Sequence, residues 1–148
     1  MNAVPKMRAR GGEAGFTLVE MLVVITIIGL IMSLVGPRVL TYLSESKTKT
    51  ARIQIESLTA ALDLYYLDNG RYPSTSEGLV SLVQKPGAAA PAWNGPYIKS
   101  SNVPADPWGH AYLYRAPAEK SPYEIVSYGP KGEAAGAGSP DAIKSASQ

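Results

Sequence analysis

Apolar residues run almost without interruption through one early segment of the chain. From Phe16 to Val35 the sequence is rich in Val, Ile and Leu, and Glu20 is its single ionisable side chain. About twenty helical residues rise about 30 Å, which is roughly the thickness of the hydrocarbon core of a bilayer. The pattern therefore predicts a membrane-spanning helix.

A different pattern follows this apolar run. Gly36 and Pro37 come directly after it, and because proline lacks the amide hydrogen of a helical bond, we expect the helix to kink or melt locally there. Beyond them lies an apolar stripe at helical spacing, formed by Ile55, Leu58, Leu62 and Tyr65. The stripe predicts a water-exposed helix with one face packed on a domain, and this helix should end at residues 68–70.

Shorter elements are predicted in the rest of the chain. The spacing of Ser74 and Glu77 is that of a capping box and predicts a short second helix. β-branched and aromatic residues at 111–115 and 123–128 predict two paired strands. After Gly129 the composition is mostly Gly, Ala and Ser, so we expect a loosely ordered tail from about residue 130. The predicted fold class is α+β.

A short basic leader precedes the apolar run. Its basic residues are Lys6, Arg8 and Arg10. The positive-inside rule therefore keeps the leader in the cytoplasm and exports the rest of the chain. A secretory signal is cleaved after its apolar region, whereas the small-residue site here, at Gly15, comes before it. Cleavage there would leave the helix on the mature chain, with a new cationic amine on Phe16.

Residues 15–20, Gly-Phe-Thr-Leu-Val-Glu, resemble the prepilin processing motif of type IV pilins and type II secretion pseudopilins. The resemblance implies that a membrane-embedded prepilin peptidase cuts after Gly15 and that the new N-terminal Phe16 is methylated. It also implies that Glu20 meets the Phe16 amine of a neighbouring subunit. In a low dielectric each buried charge is tolerated only beside its partner, so this pair would fix one axial register between helices.

The resemblance continues through residues 61–75, 106–109 and 127–129 and is closest to the major pseudopilins of type II secretion systems. It implies a pilin-like α+β fold, in which the long helix packs on a short helix and a small antiparallel sheet. The implied parts are a cleaved leader at 1–15, a transmembrane and filament-core helix at 16–36, and a periplasmic domain at 37–148.

The function implied by the resemblance is structural. The chain would be the major subunit of a periplasmic filament, polymerising from the inner membrane to push folded proteins through an outer-membrane secretin. Its implied partners are further copies of itself, the prepilin peptidase, minor pseudopilins and an inner-membrane assembly platform. The alternative is a type IV pilus subunit serving adhesion, motility or DNA uptake. Those pilins usually carry a larger sheet, often closed by a disulfide, and this chain has no cysteine.

The family resemblance also raises the question of calcium, because the major pseudopilins usually bind one calcium ion in their last loop. Ser127 and Asp141 are the residues of this chain that would remain for such a site, but Lys131 stands where the first aspartate is expected. Calcium takes about six to eight oxygen ligands, several of them carboxylates, and an ammonium group would repel it. We therefore predict no cofactor, and hypothesise that Lys131 replaces the ion by pairing with Asp141 or Glu133.

Composition limits the other function classes. Removing the three basic residues and one acid of the leader from totals of 14 and 12 leaves 11 of each, so the mature chain is neutral and no nucleic-acid surface is indicated. No nucleophile, base and orienting group converge in the sequence, so an enzyme is not predicted. His110, the single histidine, is interpreted as a surface strand residue, and the tryptophans and tyrosines as core and turn packing rather than a carbohydrate-binding face.

Overall fold

The computed structural model describes residues 15–136 and 138–145. The chain divides into two compact units, Met1–Thr41 and Tyr42–Gln148, and each is described by itself. The first helix, α1, covers Leu18–Asn69 and contributes residues to both units. The leader residues 1–14, whose cytoplasmic position was inferred from their charge, lie outside the described residues.

In the described part of the first unit, residues 15–17 precede the beginning of α1. Its large apolar side chains are exposed from Phe16 onward, and the helix is long and apolar enough to cross a membrane. The hydroxyl groups of Thr26 and Ser33 donate to the carbonyl oxygens of Leu22 and Leu30, both at 2.8 Å, so these polar groups find partners inside the helix.

The helix passes through Gly36 and Pro37 without a break, so the segment is not locally melted in this structure. Thr41 donates its hydroxyl to the carbonyl oxygen of Pro37 at 3.1 Å, which adds one hydrogen bond to the turn that follows the proline. The predicted bend at these two residues stays a prediction.

In the second unit, α1 supplies one wall of the hydrophobic core. The predicted stripe is confirmed, since its four side chains are 3% exposed or less: Ile55, Leu58, Leu62 and Tyr65. Ala51 and Ala61 complete this face. The tryptophans and most tyrosines pack in or against the same core, as predicted, although Tyr42 and Tyr66 are exposed.

The helix ends where the sequence predicted. Gly70 follows it with φ of 70°, a conformation that glycine adopts without the steric cost of a side chain, and its amide donates to the carbonyl oxygen of Tyr66 at 2.8 Å. The short second helix differs from the prediction, because it is a turn at 75–78 followed by a 3-10 helix at Leu79–Leu82. Gly78 has φ of 61° and separates the two pieces.

The sheet is antiparallel, with strands β1 (Leu113–Arg115), β2 (Glu124–Ser127) and β3 (Ile143–Lys144) in the order β1-β2-β3. Tyr114 pairs with Ile125, and Ser127 pairs with Ile143. The first two strands confirm the predicted pair, although both are shorter than their predicted ranges.

The third strand corrects the prediction of a loosely ordered tail from about residue 130. Two short 3-10 turns, joined by a kink at Gly132 where φ is 65°, cover Gly129–Ala135, and β3 then joins the sheet. Ser145 adds two further hydrogen bonds to β2, because its amide donates to the carbonyl oxygen of Ile125 at 2.8 Å and its hydroxyl accepts from the Ile125 amide at 3.1 Å. The prediction was wrong because the segment is mostly Gly, Ala and Ser, and its one large apolar residue in β3, Ile143, gave no strand pattern. Ile143 is 8% exposed. Ala137 and residues 146–148 of this tail lie outside the described residues.

Candidate functional site

The predicted processing site lies immediately before α1. Gly15, Phe16 and Thr17 are not helical, and the helix begins at Leu18. The Phe16 residue is 77% exposed. The peptide bond between Gly15 and Phe16 is therefore outside the hydrogen-bonded helix.

Thr17 caps the N-terminus of α1, with Glu20 as the third helical residue. The Thr17 hydroxyl oxygen accepts a hydrogen bond from the Glu20 amide at 3.2 Å, and the Met21 amide donates to the Thr17 carbonyl oxygen at 3.2 Å. This cap is a role of Glu20 in addition to the assembly role that the family resemblance implies. The signal was present, because Thr-x-x-Glu at 17–20 is a capping-box spacing.

At the other end of the chain, a buried carboxylate organises the C-terminal loop, here defined as residues 127–143. Asp106 is 4% exposed. Its Oδ2 accepts from the Ser127 hydroxyl at 2.6 Å, and its Oδ1 accepts from the backbone amides of Trp108 at 3.1 Å and His110 at 2.8 Å. The Ser127 Oγ also accepts from the Gly129 amide at 3.2 Å. Asp106 thus connects the predicted turn at 106–109 to the start of the loop.

The loop closes on itself through Lys131 and Asp141. Lys131 Nζ lies 3.1 Å from Asp141 Oδ2, which confirms the predicted pairing and selects Asp141 rather than Glu133. Gly129 brings the two sides of the loop together, because it has φ of 72° and a Cβ at its position would lie 2.6 Å from the carbonyl oxygen of Asp141. A side chain at position 129 would therefore push the two sides of the loop apart.

The residues of this loop do not fit a calcium ion. The carboxylate that would bind it, on Asp141, already faces an ammonium group. Among residues 15–136 and 138–145, no three His, Asp or Glu side chains converge to hold a metal ion. Ser127, the other residue that would remain for a calcium site, is fully buried and donates its hydroxyl hydrogen to Asp106. The absence of a cofactor stays a prediction.

His110 is not the surface strand residue that the sequence suggested. It lies outside the strands, with Nδ1 3.7 Å from Asp106 Oδ1, and its ring fills the space beside Gly132. A Cβ at Gly132 would lie 2.9 Å from His110 Nε2. The imidazole therefore packs against the 3-10 turns of the C-terminal loop. This contact could not be predicted, because His110 and Gly132 are far apart in sequence.

A second ionic contact, which was not predicted from the sequence, fixes the segment after α1. The Arg71 guanidinium group donates two hydrogen bonds of 2.7 Å to the two carboxylate oxygens of Glu77. The backbone amide of Ser74 donates to Glu77 Oε2 at 2.7 Å, and the Ser74 hydroxyl oxygen accepts from the Glu77 amide at 3.3 Å, so the predicted capping box is confirmed. The hydrogen bond from Arg71 is the largest cause that lowers the pKa of Glu77, which is about 2.

An apolar N-terminal helix that follows a prepilin processing motif and continues into a small α+β domain is characteristic of the class of pilin-like proteins. The model of the prokaryotic N-terminal methylation motif matches residues 10–36. The model of type II secretion system protein G matches residues 38–146, which is more than half of the chain. The chain belongs to the type II secretion system protein G family.

Individual relatives support this assignment. The chain is similar to type II secretion system core protein G of Pseudomonas aeruginosa, with 43% identity over 86% of this chain and 90% of that protein. Type II secretion system core protein G of Xanthomonas campestris is 34% identical to this chain over 96% of each of the two chains. Among solved structures, the major pseudopilin of the type 2 secretion system of enterohaemorrhagic Escherichia coli matches with a TM-score of 0.59 and 32% identity, over 71% of this chain and 90% of that chain.

Proposed function

We propose that this protein is the major structural subunit of a type II secretion pseudopilus, which polymerises from the inner membrane and pushes folded proteins through the outer-membrane secretin. The observation that carries the proposal is the family match along residues 38–146, directly after a methylation motif at 10–36. In this role the chain works by packing with other copies and performs no catalysis. The alternative of a type IV pilus subunit is not favoured by any of these matches.

Storage and assembly place the same helix in two apolar environments. Before assembly, Phe16 to Val35 lies in the lipid of the inner membrane, and after assembly it packs against like helices in the filament core. The change in apolar contact is nearly neutral, because lipid and neighbouring side chains are similarly apolar. Register therefore depends on the polar groups, and we assign it to Glu20 with the methylated amine of Phe16 on the adjacent subunit.

Extraction from the membrane requires the helix to adapt as it leaves the bilayer. Gly36 and Pro37 lie just beyond the apolar segment, where proline removes one backbone hydrogen bond. We assign to them the flexibility needed for extraction. A Pro37→Ala variant should enter the membrane and be processed normally but assemble fewer filaments, and normal assembly would show that the proline is incidental.

The partners in this proposal follow from the same steps. A prepilin peptidase removes residues 1–15 and exposes Phe16, and minor pseudopilins and an inner-membrane platform receive the processed subunit. The chain is then a single-pass inner-membrane protein whose C-terminal domain lies in the periplasm, until the filament forms there.

The experiment that tests the proposal is the mass and N-terminal residue of the protein recovered from membranes, with and without co-expressed prepilin peptidase. A chain that begins with methylated Phe16 only when the peptidase is present would support it. Deletion of the gene should then leave secreted enzymes in the periplasm, and the full chain should restore secretion. Retention of residues 1–15 beside an active peptidase would contradict the proposal, as would loss of a surface pilus with secretion intact.

A further inference from the structure

The second unit contains two Asn-Gly dipeptides, Asn69-Gly70 and Asn94-Gly95. Asparagine followed by glycine is the dipeptide most prone to spontaneous deamidation, because glycine has no side chain to hinder its backbone nitrogen when that nitrogen attacks the asparagine side chain. The two dipeptides have the same reacting groups, but the structure places them in different surroundings. Their surroundings therefore decide which of them can react in the folded chain.

The reaction joins the backbone nitrogen of the glycine to Cγ of the asparagine. The new bond closes a succinimide ring, the bond between Cγ and Nδ2 breaks, and ammonia leaves with the proton of the glycine amide. Water then opens the ring at one of its two carbonyl groups and gives aspartate or isoaspartate. Nothing is oxidised or reduced. The reaction is favoured where the glycine amide is not hydrogen-bonded and the asparagine side chain can turn towards it.

At Asn69-Gly70 both reacting groups are held by the end of α1. The Gly70 amide donates to the carbonyl oxygen of Tyr66 at 2.8 Å. The Nδ2 group of Asn69 donates to the carbonyl oxygen of Tyr65 at 3.0 Å and to the Tyr97 hydroxyl oxygen at 3.5 Å. The Oδ1 atom of Asn69 is buried. Ring closure at this position therefore requires the last turn of the helix to open first.

At Asn94-Gly95 the same groups are free. Asn94 is exposed and lies outside the helices and strands. Its backbone amide donates to the Tyr97 hydroxyl oxygen at 3.0 Å, which leaves its side chain free to rotate. Within residues 15–136 and 138–145, no group hydrogen-bonds to the Asn94 side chain or to the Gly95 amide. Ring closure here does not require any helix to open.

The isoaspartate product would disturb the packing of the segment at 91–97, because isoaspartate inserts one extra methylene group into the backbone directly before Gly95. The space around Gly95 is already filled. A Cβ at this position would lie 2.6 Å from the Trp93 ring and 2.9 Å from the Tyr97 ring. A longer backbone at position 94 therefore pushes the chain against these two rings.

The same two aromatic residues attach the segment to the 3-10 helix after α1. The Trp93 Nε1 group donates to the carbonyl oxygen of Ser81 at 2.8 Å. The Tyr97 amide donates to the carbonyl oxygen of Leu82, also at 2.8 Å. Displacement of the rings by isoaspartate would therefore weaken both attachments. Aspartate, the other product, keeps the length of the backbone and leaves the attachments in place.

We propose that Asn94-Gly95 is a site of spontaneous deamidation in the folded protein and that its isoaspartate product loosens the segment at 91–97. The proposal goes beyond the proposed function and does not depend on it, because the reaction needs only water. It assigns to this chain a covalent change that accumulates with the age of a folded molecule. Asn69-Gly70 is the protected copy of the same dipeptide.

The test follows the three asparagines of the second unit in the detergent-solubilised full chain. Trypsin places each of them in its own peptide, at 53–71, 72–99 and 100–115. The protein is incubated in mildly alkaline buffer and analysed over time by mass spectrometry with fragmentation that separates isoaspartate from aspartate. Asn94 should convert several-fold faster than Asn69. Asn102 is the control for exposure alone, because it is exposed but precedes Val103, whose branched side chain hinders the attack, and it should stay unchanged.

Incubation of the same chain in denaturant supplies the reference rates. The two Asn-Gly dipeptides should convert at similar rates when the chain is unfolded, because the contacts that protect Asn69 are then lost. The proposal is wrong if Asn94 stays unchanged in the folded chain over a time in which it converts in the unfolded chain. It is also wrong if Asn69 converts as fast as Asn94 in the folded chain.

Two variants test the effect of the product on the segment. Incubated wild-type protein should melt at a lower temperature than fresh protein, in proportion to its isoaspartate content. Asn94→Gln should lose this decrease, because the longer side chain closes a ring much more slowly. Fresh Asn94→Asp, which has the new charge without the extra methylene group, should melt with fresh wild type. An unchanged melting temperature of wild type at high isoaspartate content would overturn the proposed loosening.

Discussion

Lys131 and Asp141 form an ion pair across the C-terminal loop, with 3.1 Å between Nζ and Oδ2. They are ten positions apart in sequence, and the pair joins the 3-10 turns at Gly129–Ala135 to the segment that leads into β3. The C-terminal loop is thus closed by an ion pair between two of its own side chains.

The first prediction concerns this closure. Lys131→Ala should lower the free energy of unfolding by up to about 1 kcal/mol, because the two side chains are 69% and 40% exposed and exposed pairs contribute little. Lys131→Arg, which keeps the charge, should restore most of the loss. Thermal unfolding of the detergent-solubilised chain measures both effects.

The same preparation tests independence from calcium. Addition of a chelator or of excess calcium should leave the melting temperature of the wild-type chain unchanged, because the donor set around Lys131 does not suit the ion. A melting temperature that fell with chelator and recovered with calcium would show that the loop does bind the metal and that the ion-pair hypothesis is wrong.

The second prediction concerns Glu77 and Arg71. The pKa of Glu77 is lowered from 4.5 to about 2, with the hydrogen bond from Arg71 as the first cause. Because the folded-state pKa is below the ordinary value, the interaction stabilises the fold fully above about pH 4.5, and the stabilisation is lost as the pH falls towards about 2. Glu77→Gln should therefore cost roughly 1.5–3 kcal/mol at pH 7, the usual range for a hydrogen bond to a charged group.

Denaturant unfolding at several pH values measures this effect. The difference between wild type and Glu77→Gln should shrink steadily between pH 4.5 and pH 2. Glu119→Gln is the control, because Glu119 is exposed, and it should change stability by less than about 0.5 kcal/mol. A Glu77→Gln effect of equal size at pH 7 and at pH 2.5 would indicate lost packing rather than a lost charge interaction.

The third prediction concerns the buried hydrogen bond between Ser127 and Asp106. Ser127→Ala removes the donor that lies 2.6 Å from Oδ2 of a carboxylate which is 4% exposed. An acceptor left without its partner in a buried site costs about 1–3 kcal/mol, and more when it is charged. The variant should lose at least this much stability in denaturant unfolding, whereas Ser101→Ala, at an exposed position, should lose almost none. Equal stability of the two variants would contradict this account.

The sequence predicted the parts of the fold whose cause is local. The stripe from Ile55 to Tyr65 has a helical period, the capping box of Ser74 and Glu77 is set by a spacing of three residues, and Gly70 ends α1 by a backbone preference. In each case the residues that decide the structure are close together in the chain, so their pattern is visible without a fold.

The parts that could not be predicted depend on contacts between distant residues. Ile143 pairs with Ser127 only after the loop between them has turned back, and a single apolar residue among Gly, Ala and Ser gives no periodic signal. The contact of His110 with Gly132 could not be predicted for the same reason, since the two residues are 22 positions apart. The pairing of Lys131 with Asp141 could be predicted because resemblance to a family supplied the loop, although the residues alone left Glu133 as an equal partner.

The last prediction separates two roles of Glu20. In the structure Glu20 is the third residue of α1, and its amide donates to the hydroxyl oxygen of the capping residue Thr17 at 3.2 Å. In a capping box the residue at this position is Glu or Gln, since either side chain can reach back to the backbone. The proposed register contact with the Phe16 amine of a neighbour, in contrast, requires a negative charge.

Glu20→Gln therefore keeps the cap and removes the charge. If Glu20 acts through the amine of Phe16, this variant should be processed to a chain that begins at Phe16 but should assemble far fewer filaments, because the buried amine loses its counterion. Thr17→Ala is the complementary variant, since it removes the cap and keeps the charge, and it should assemble better than Glu20→Gln. The measurement is the amount of sheared filament relative to processed protein in the membrane. Normal assembly of Glu20→Gln together with poor assembly of Thr17→Ala would assign the role of Glu20 to the helix start rather than to contact between subunits.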